Sequence, residues 1–490
     1  MRVGLLDAER DLLVDGHFPP FWEDLEADLG LEALWEVMAA GDAYLRAVAR
    51  QVLAQGLGAT LDQIRYRQAT VQEALEKPEL VEAVYRLSTA TLEAKRRESW
   101  GLFRRDRPDL YGSIKAMEAL LSGLRQLKAL MEGPHFSAPG FRALQERLRL
   151  HLTPRFFQEA EGHLQALRFS RGVWMGARLR FDGRGEGYFL IPPEMGRALL
   201  PWKRPKSYTL TLHPRDESGA RILGELREEG IVLAAWSLAQ AAEEVGRFFE
   251  ALRAEAAFLL SAIHLARALR ERGLPVAFPE PWPREAGPGW IFRGLYDVVL
   301  ALRQGTVVGN DLEARGKNPV FVTGANRGGK TTFLRSLGIA QLMMQAGLFV
   351  GAEAFATSIS PGVFTHFRRE ESASLEAGKF LEEVQRFSSL VDHLSPGALL
   401  LLNETFASTS EAEGSALGAQ VVRALTAHGV RVAYVTHFYA LVEAFRGDEA
   451  ALFLKAERLP DGRRTYRLQP GTPEPTAYAE DLLRLIFGYR

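Results

Sequence analysis

The sequence predicts a multidomain chain: an α-helical region with a small β insertion, followed by an α/β nucleotide-binding domain. Three observations carry this. Residues 320–337, VFVTGANRGGKTTFLRSL, set an apolar strand, a glycine-rich turn and an apolar-periodic helix in succession. Strand-length apolar runs alternate with helical periods through the C-terminal part, the pattern of a sheet covered by helices. Before that, apolar residues recur every three or four positions over long stretches, interrupted by alternation near residues 170–213. At 490 residues the chain is too long for one ordinary core, so two or three domains are expected.

Residues 1–30 read as acidic and irregular. A helical period begins after Gly41, with Tyr44, Leu45, Val48, Val52 and Leu53 on one face. Pro78 marks a helix start. The segment Lys95–Pro108 carries six Lys/Arg residues around Trp100 and Phe103. Such a stretch can grip a phosphate backbone; it also reads as a solvated loop. Leu110, Ile114, Met117, Leu121, Leu124, Leu127 and Met131 then form a core stripe of a long helix, which ends at Gly133-Pro134. Shorter helices follow near 141–150 and 155–167. Residues 173–191 hold two β-like runs around Asp182-Gly-Arg-Gly-Glu-Gly187, a hairpin signal. Tyr208, Leu210 and Leu212 suggest another strand, preceded by a second basic-aromatic cluster, PWKRPK at 201–206. From Ile231 to about Glu271 a helix resumes, a rod of roughly 60 Å at ~1.5 Å per residue, with Gly246 a candidate bend. Gly273-Leu-Pro275 and the proline-rich 275–288 stretch mark the clearest domain boundary.

Gly324, Gly329, Lys330 and Thr331 fit G-x-x-x-x-G-K-[ST], with Ala325, Asn326, Arg327, Gly328 and Thr332 completing the loop. Glycines there let backbone N–H groups curl round phosphate oxygens, and the following helix N-terminus favours the anion. Lys330 would reach the outer phosphates of ATP, and the Thr331 hydroxyl would hold Mg²⁺. The alternative is a chance glycine-rich turn. Ala398–Glu404 is an apolar run ending in Asn403 and Glu404. This is the layout of a Walker B strand, with Glu404 the candidate base for orienting water. Asn403 stands where an aspartate usually holds the metal's water shell, and contributes no charge. The apolar run from Val430 ends in Thr436-His437, where a histidine can sense the terminal phosphate or serve as an ordinary structural side chain. Lys379 to Glu383 starts a helix able to present residues to a partner subunit.

Net charge is −1, so any nucleic-acid contact must come from a local basic face. Cysteine is absent, which excludes disulfides and thiolate chemistry and agrees with a reducing cytoplasm. No signal peptide and no run of apolar residues long enough for a transmembrane helix is visible. A cytoplasmic protein without membrane contact is expected. Asparagine occurs at only four positions, 310, 318, 326 and 403; three of them fall in stretches assigned to the nucleotide site.

Four stretches, TGANRGGKTTFLRSL, LLLLNETFASTSEAEGSALG, VTHFYAL and RLQPGTPEPTAYAEDLLR, resemble in order and spacing the ATPase motifs of the MutS family. Val308-Gly-Asn310-Asp311 is similar to the stretch before the loop in that family. The resemblance implies a helical core and lever over 1–168, a small β subdomain over 169–214, returning lever helices over 215–273, and an ABC-like P-loop ATPase domain over 274–490. It implies a homodimer whose ATP sites are completed by the other subunit, closing round DNA. Carried over by position, Lys330 and Thr331 bind phosphate and Mg²⁺, Asn326 belongs to the loop, Glu404 is catalytic and His437 is the switch. Ser408, Thr409 and Ser410 would lie near the subunit junction, and Gly378 or Ser374 near the trans signature serine.

Three departures accompany the likeness. Asn403 replaces the usual aspartate, so Mg²⁺ affinity should be lower. The chain reads as a short form without the N-terminal mismatch-reading domain; Phe21-Trp22-Glu23 matches the letters of its wedge but reads better as an apolar anchor before a helix. A C-terminal nuclease-like extension is not expected. The favoured function is a DNA-binding ATPase acting on mismatched, branched or otherwise unusual DNA in repair or recombination. The competing readings are a nucleotide-driven switch acting on a protein or ribosomal RNA partner, and a nucleotide-binding scaffold without turnover.

Overall fold

The structure is a computed structural model. It describes residues 2–99, 103–104, 107–169, 175–181, 185–190, 217–325, 327–369, 376–459 and 463–472. Helices and α/β sheets are distributed over two compact units. One comprises Met1–Gly4, Glu82–Phe136 and Phe141–Ala256; the other comprises Leu5–Val81, Ser137–Gly140 and Ala257–Arg490.

The first unit is mainly helical. Helix Leu110–Glu132 starts at Asp109, whose carboxylate accepts the Gly112 N–H, and buries the expected stripe from Ile114 to Met131. Gly123 lies so close to Thr91 that a Cβ would come within 2.5 Å of its hydroxyl. The short strands β1 (Phe103–Arg104) and β2 (Arg107–Pro108) pair antiparallel within the basic stretch. Strands β3 (Met175–Leu179) and β4 (Gly185–Leu190) form the expected hairpin. The strand expected at 208–212 and the cluster at 201–206 lie outside the described residues. The long helix runs Glu217–Glu271, starting well before Ile231. Gly224 and Gly230 dilute its apolar period there, since glycine costs about 1 kcal/mol in a helix. The helix continues through Gly246, whose missing Cβ makes room for the Lys95 ammonium.

The second unit begins with helices Trp22–Leu29, Glu32–Ala39, Ala43–Gly56 and Leu61–Glu76. The first two fall where the sequence reads as irregular or without a period. They are eight residues each and closed by left-handed Gly30 and Ala40, too short for a period to show. Trp22 is 2 % exposed, and Phe21 meets the His393 ring edge-on, so this triplet is the apolar anchor. Thr60 and Gln63 form a capping box.

Two sheets follow. Strands β5 (Glu280–Trp282), β6 (Gly289–Leu295), β7 (Asn310–Arg315) and β9 (Ala354–Ser358) make a four-stranded sheet in the order β5-β9-β6-β7. Strands β8 (Val320–Thr323), β10 (Val363–Phe367), β11 (Leu399–Asn403), β12 (Arg431–Val435), β13 (Leu452–Arg458) and β14 (Arg464–Pro470) make the second, ordered β10-β11-β12-β8-β13-β14. Its first five strands are parallel and β14 is antiparallel. Strands buried on both faces read as continuous apolar runs, which is why Leu399–Leu402 and Val432–Val435 stand out in the sequence. Phe321, Leu400, Tyr434, Phe387 and Val422 belong to the core on one side.

Leu5–Val81 therefore folds with the C-terminal sheets, a division different from the boundaries expected at 168 and 274. Gly56 packs so tightly on the helix Lys330–Gln345 that a Cβ would sit 2.8 Å from Ala346 N. Gln345 donates to Gly56 O at 3.2 Å, and Arg335 donates to Asp28 O at 2.8 Å. Contacts this distant along the chain leave no local trace in the sequence. Among the described residues, no helix is long and apolar enough to cross a membrane.

Candidate active site

The glycine-rich loop leaves the carboxyl end of β8 and enters helix Lys330–Gln345 at Gly329. Gly324 has φ 109° and Gly329 φ 90°, values that penalise any side chain. At Gly328 a Cβ would meet Ala325 O at 2.8 Å. Arg327 also takes a positive φ, 60°. Asn326 lies outside the described residues. Lys330 is 6 % exposed and donates to Gly324 O at 2.9 Å and Ala325 O at 3.1 Å. Burial holds its ammonium below the ordinary lysine range, opposed by the charge of Glu404. Thr332 follows on the first turn of the helix, partly exposed.

The apolar run expected to be a Walker B strand is β11 (Leu399–Asn403). Its last residue, Asn403, accepts the Thr331 hydroxyl through Oδ1 at 3.1 Å. Glu404 follows with φ 53°, and its N–H is tied to Val435 O at 2.8 Å. Its carboxylate lies 3.9 Å from His437 Nδ1 and 3.9 Å from Arg368 Nη1. The Glu404 carboxyl is held below the ordinary range, first by its polar contact with His437, against the opposing effect of burial. The structure thus gathers Lys330, Thr331, Asn403, Glu404 and His437 at the carboxyl ends of neighbouring strands. That is where ligands of open α/β sheets bind.

A cavity of about 570 Å³ opens beside them, lined by the loop from Arg327 to Thr332 and by Glu404. Its far wall includes Tyr296, Asp297, Val307, Val308, Asn310 and Tyr466. Burial raises the Tyr296 hydroxyl and the Asp297 carboxyl above their ordinary ranges. Sequence reasoning did not single out Tyr466, which takes φ 61° and brings its carbonyl within 3.4 Å of where a Gly329 Cβ would stand. The available signal was Asn310, one of the rare asparagines: its Oδ1 accepts the Leu468 N–H at 2.7 Å and pins β14 against β7. Asn318, by contrast, is structural, bonding both Val430 O and Val432 N.

The donor set suits an Mg²⁺ ion that arrives with phosphate oxygens. The Thr331 hydroxyl and Asn403 amide are neutral, and Glu404 is the nearby carboxylate. Among the described residues no cluster of three His, Cys, Asp or Glu is placed to hold a metal.

A second tier fixes the turn after β11. Phe406 has φ 65°, and its N–H is accepted by Glu383 Oε1 at 2.8 Å. Thr405 donates to His366 O at 2.9 Å, and the Tyr434 hydroxyl donates to Thr405 O. Glu383 comes from helix Glu376–Val391 and is 8 % exposed, while Leu381 on the same helix is 58 % exposed. The helix expected to present residues from Lys379 thus buries Glu383 while leaving Leu381 and Glu382 exposed. Gly378 is exposed on this helix, and Ser374 lies outside the described residues. Ser410 caps helix Glu411–Ala427 by accepting the Glu413 N–H, and Thr409 donates to the Glu413 carboxylate.

Fold and site together define an α/β protein with a glycine-rich strand–turn–helix, in a chain that also carries a mainly helical unit. Residues 59–272 match the model of the MutS2 N-terminal domain, and residues 320–458 match MutS domain V. The chain belongs to the MutS family. It is 29 % identical over 257 residues to the DNA mismatch repair protein MutS of Thermus aquaticus, covering 52 % of this chain and 30 % of that protein. It is 32 % identical over 158 residues to the endonuclease MutS2 of Thermus thermophilus, covering 31 % of this chain and 21 % of that one. With the DNA mismatch repair protein Msh6 of Gallus gallus it shares 33 % identity over 132 residues, 27 % of this chain and 10 % of the other. The matched segments therefore span less than a third of each of these relatives.

Proposed function

We propose that this chain is a MutS-like DNA-binding ATPase. ATP hydrolysis would be coupled to closure of a homodimeric clamp on mismatched, branched or otherwise unusual DNA. The observation that carries the proposal is the convergence of Lys330, Thr331–Asn403 and Glu404–His437 on one strand edge beside an open cavity. Loop N–H groups from Gly328 to Thr331 would take the phosphates at the positive end of the helix. Lys330 would exchange its carbonyl partners for phosphate oxygens. Val308 and Tyr466 line the recess available to the base. Thr331 and Asn403 would hold Mg²⁺, which supplies charge neutralisation on the phosphates. Glu404, kept ionised, would orient the attacking water, and His437 beside it would register the terminal phosphate. An ABC-like pairing of two such sites, with the helical unit as a lever, fits the family resemblance.

Two measurements test this. Phosphate release by the wild type should exceed that of Glu404→Ala; equal slow rates would leave a scaffold without turnover. Binding to homoduplex, mismatch, four-way junction and single strand, with and without ATP, should show a salt-dependent, nucleotide-sensitive preference. Failure to bind any of these at low salt would remove the DNA half and leave a switch acting on a protein or ribosomal RNA.

A further inference from the structure

Arg368 follows β10, and its backbone N–H donates to Asn403 O at 3.0 Å. This bond fixes it on the same strand edge as the water-orienting carboxylate. Its guanidinium Nη1 lies 3.9 Å from Glu404 Oε2, and its side chain is 47 % exposed. Three of the neighbouring cations are engaged elsewhere, while Arg327 lines the cavity and Arg464 lies close enough to act on Lys330. Arg369 pairs with Asp24, Arg386 donates to Phe367 O, and Lys330 is buried on the loop carbonyls. Arg368 is thus anchored by its backbone, while among the described residues its head group makes only a long contact.

The charge balance of the edge gives that head group a role. Asn403 supplies an amide where a second carboxylate would help hold a divalent cation. The edge therefore carries Glu404 against Lys330 and Arg368, with Arg327 and Arg464 close by. A triphosphate entering it meets more positive charge from the protein, and a divalent ion meets less negative charge. A guanidinium offers a planar fork of donors that matches two phosphate oxygens at once. Beside Glu404, it would be in reach of the negative charge that accumulates during phosphoryl transfer.

We propose that Arg368 is a catalytic residue that binds the terminal phosphate of a nucleoside triphosphate, and that with Asn403 it makes triphosphate binding less dependent on divalent cation. The inference rests on the ATPase reading above and deepens it at the same site. Binding of Arg368 to the phosphate releases Glu404 from its long ion pair, freeing the carboxylate to face water.

The test uses the full chain and fluorescent analogues of ATP and ADP, titrated in EDTA and in Mg²⁺. Wild type should bind the triphosphate in EDTA. Arg368→Ala should weaken that binding by roughly 10-fold or more, with less than about a twofold change for the diphosphate, because the lost charge-assisted bonds are to the terminal phosphate. Arg368→Lys should recover only part, since a point charge does not clasp two oxygens. Asn403→Asp should lower the Mg²⁺ concentration needed for half-maximal triphosphate binding and weaken binding in EDTA. Equal losses for the two nucleotides would overturn the proposal. So would unchanged triphosphate affinity with slower phosphate release, which would make Arg368 an aligner of Glu404 alone. Wild-type protein that binds neither nucleotide would overturn the ATPase reading and this proposal with it; weak triphosphate binding by Arg368→Ala alone supports both.

Discussion

Glu383 touches neither the loop nor the cavity, yet its removal should slow hydrolysis. Its Oε1 is the acceptor for the Phe406 N–H at 2.8 Å, and its Oε2 is buried with no hydrogen-bond partner among the described residues. The turn it holds contains two left-handed non-glycine residues, Glu404 and Phe406, at φ 53° and 65°. Each such residue costs about 1–3 kcal/mol and persists only where its surroundings over-determine it. Glu383→Ala leaves the Phe406 N–H buried and unpaired, a loss of about 1–3 kcal/mol. That is comparable to the strain in the turn, so the turn can relax and carry the Glu404 carboxylate away. A displacement of about 1 Å costs on the order of 100-fold in rate. The assay is phosphate release at saturating Mg²⁺ and ATP, with nucleotide affinity and thermal melting measured on the same samples. Glu383→Ala should lose roughly 100-fold in kcat and a few °C in Tm, with nucleotide affinity kept. Glu383→Gln retains an acceptor oxygen and should stay near wild type. The reasoning is refuted if the alanine variant melts early but turns over normally, or if glutamine is as slow as alanine.

Two pH effects follow from the same region. The Glu404 carboxyl lies below its unfolded value, so it stabilises the fold above that value and this contribution is lost as pH falls through the lower, folded-state pKa. His437→Ala removes the leading cause, so the acid limb of the pH–rate profile should move to higher pH; an unmoved limb would detach His437 from this role. His366 is fully buried against Phe387, and burial pushes its imidazole down to about 3. The unfolded chain therefore binds the extra proton first, and stability should decline as pH falls from about 6.5 toward 3, by at most about 1.4 kcal/mol per pH unit. His366→Gln should flatten melting temperature against pH over that window; an unchanged slope would show that other groups set it.

The sequence was most legible where chemistry constrains it locally. The loop announces itself because Gly324 and Gly329 must adopt positive φ and because β8 before it is buried on both faces. Glu404 was legible as the residue that follows such a buried strand. The hairpin β3–β4 was legible from its glycine-rich turn. What escaped was set by tertiary context. Arg368 sits in a charged run that reads as a solvated loop until the adjacent strand brings it to Glu404. Tyr466 reads as one more alternating strand residue, and its φ of 61° and place beside Gly329 appear only once β14 is pinned by Asn310. Glu383 reads as a surface carboxylate of an amphipathic helix, because its partner is a backbone N–H more than twenty residues away. The early helices were hidden by their brevity.

The membership of Leu5–Val81 in the same compact body as residues from Ala257 onward has a consequence for biosynthesis. These helices leave the ribosome before most of their partners in that body and must wait for them. At roughly 5–20 residues per second, making residues 82–256 takes about 9–35 s. During that interval Trp35, Val52 and the Gly56 notch that receives Ala346 have no completed sheet to dock on. The apolar faces of these helices therefore stay uncovered during synthesis, and their docking completes this compact body only after β14 has been made.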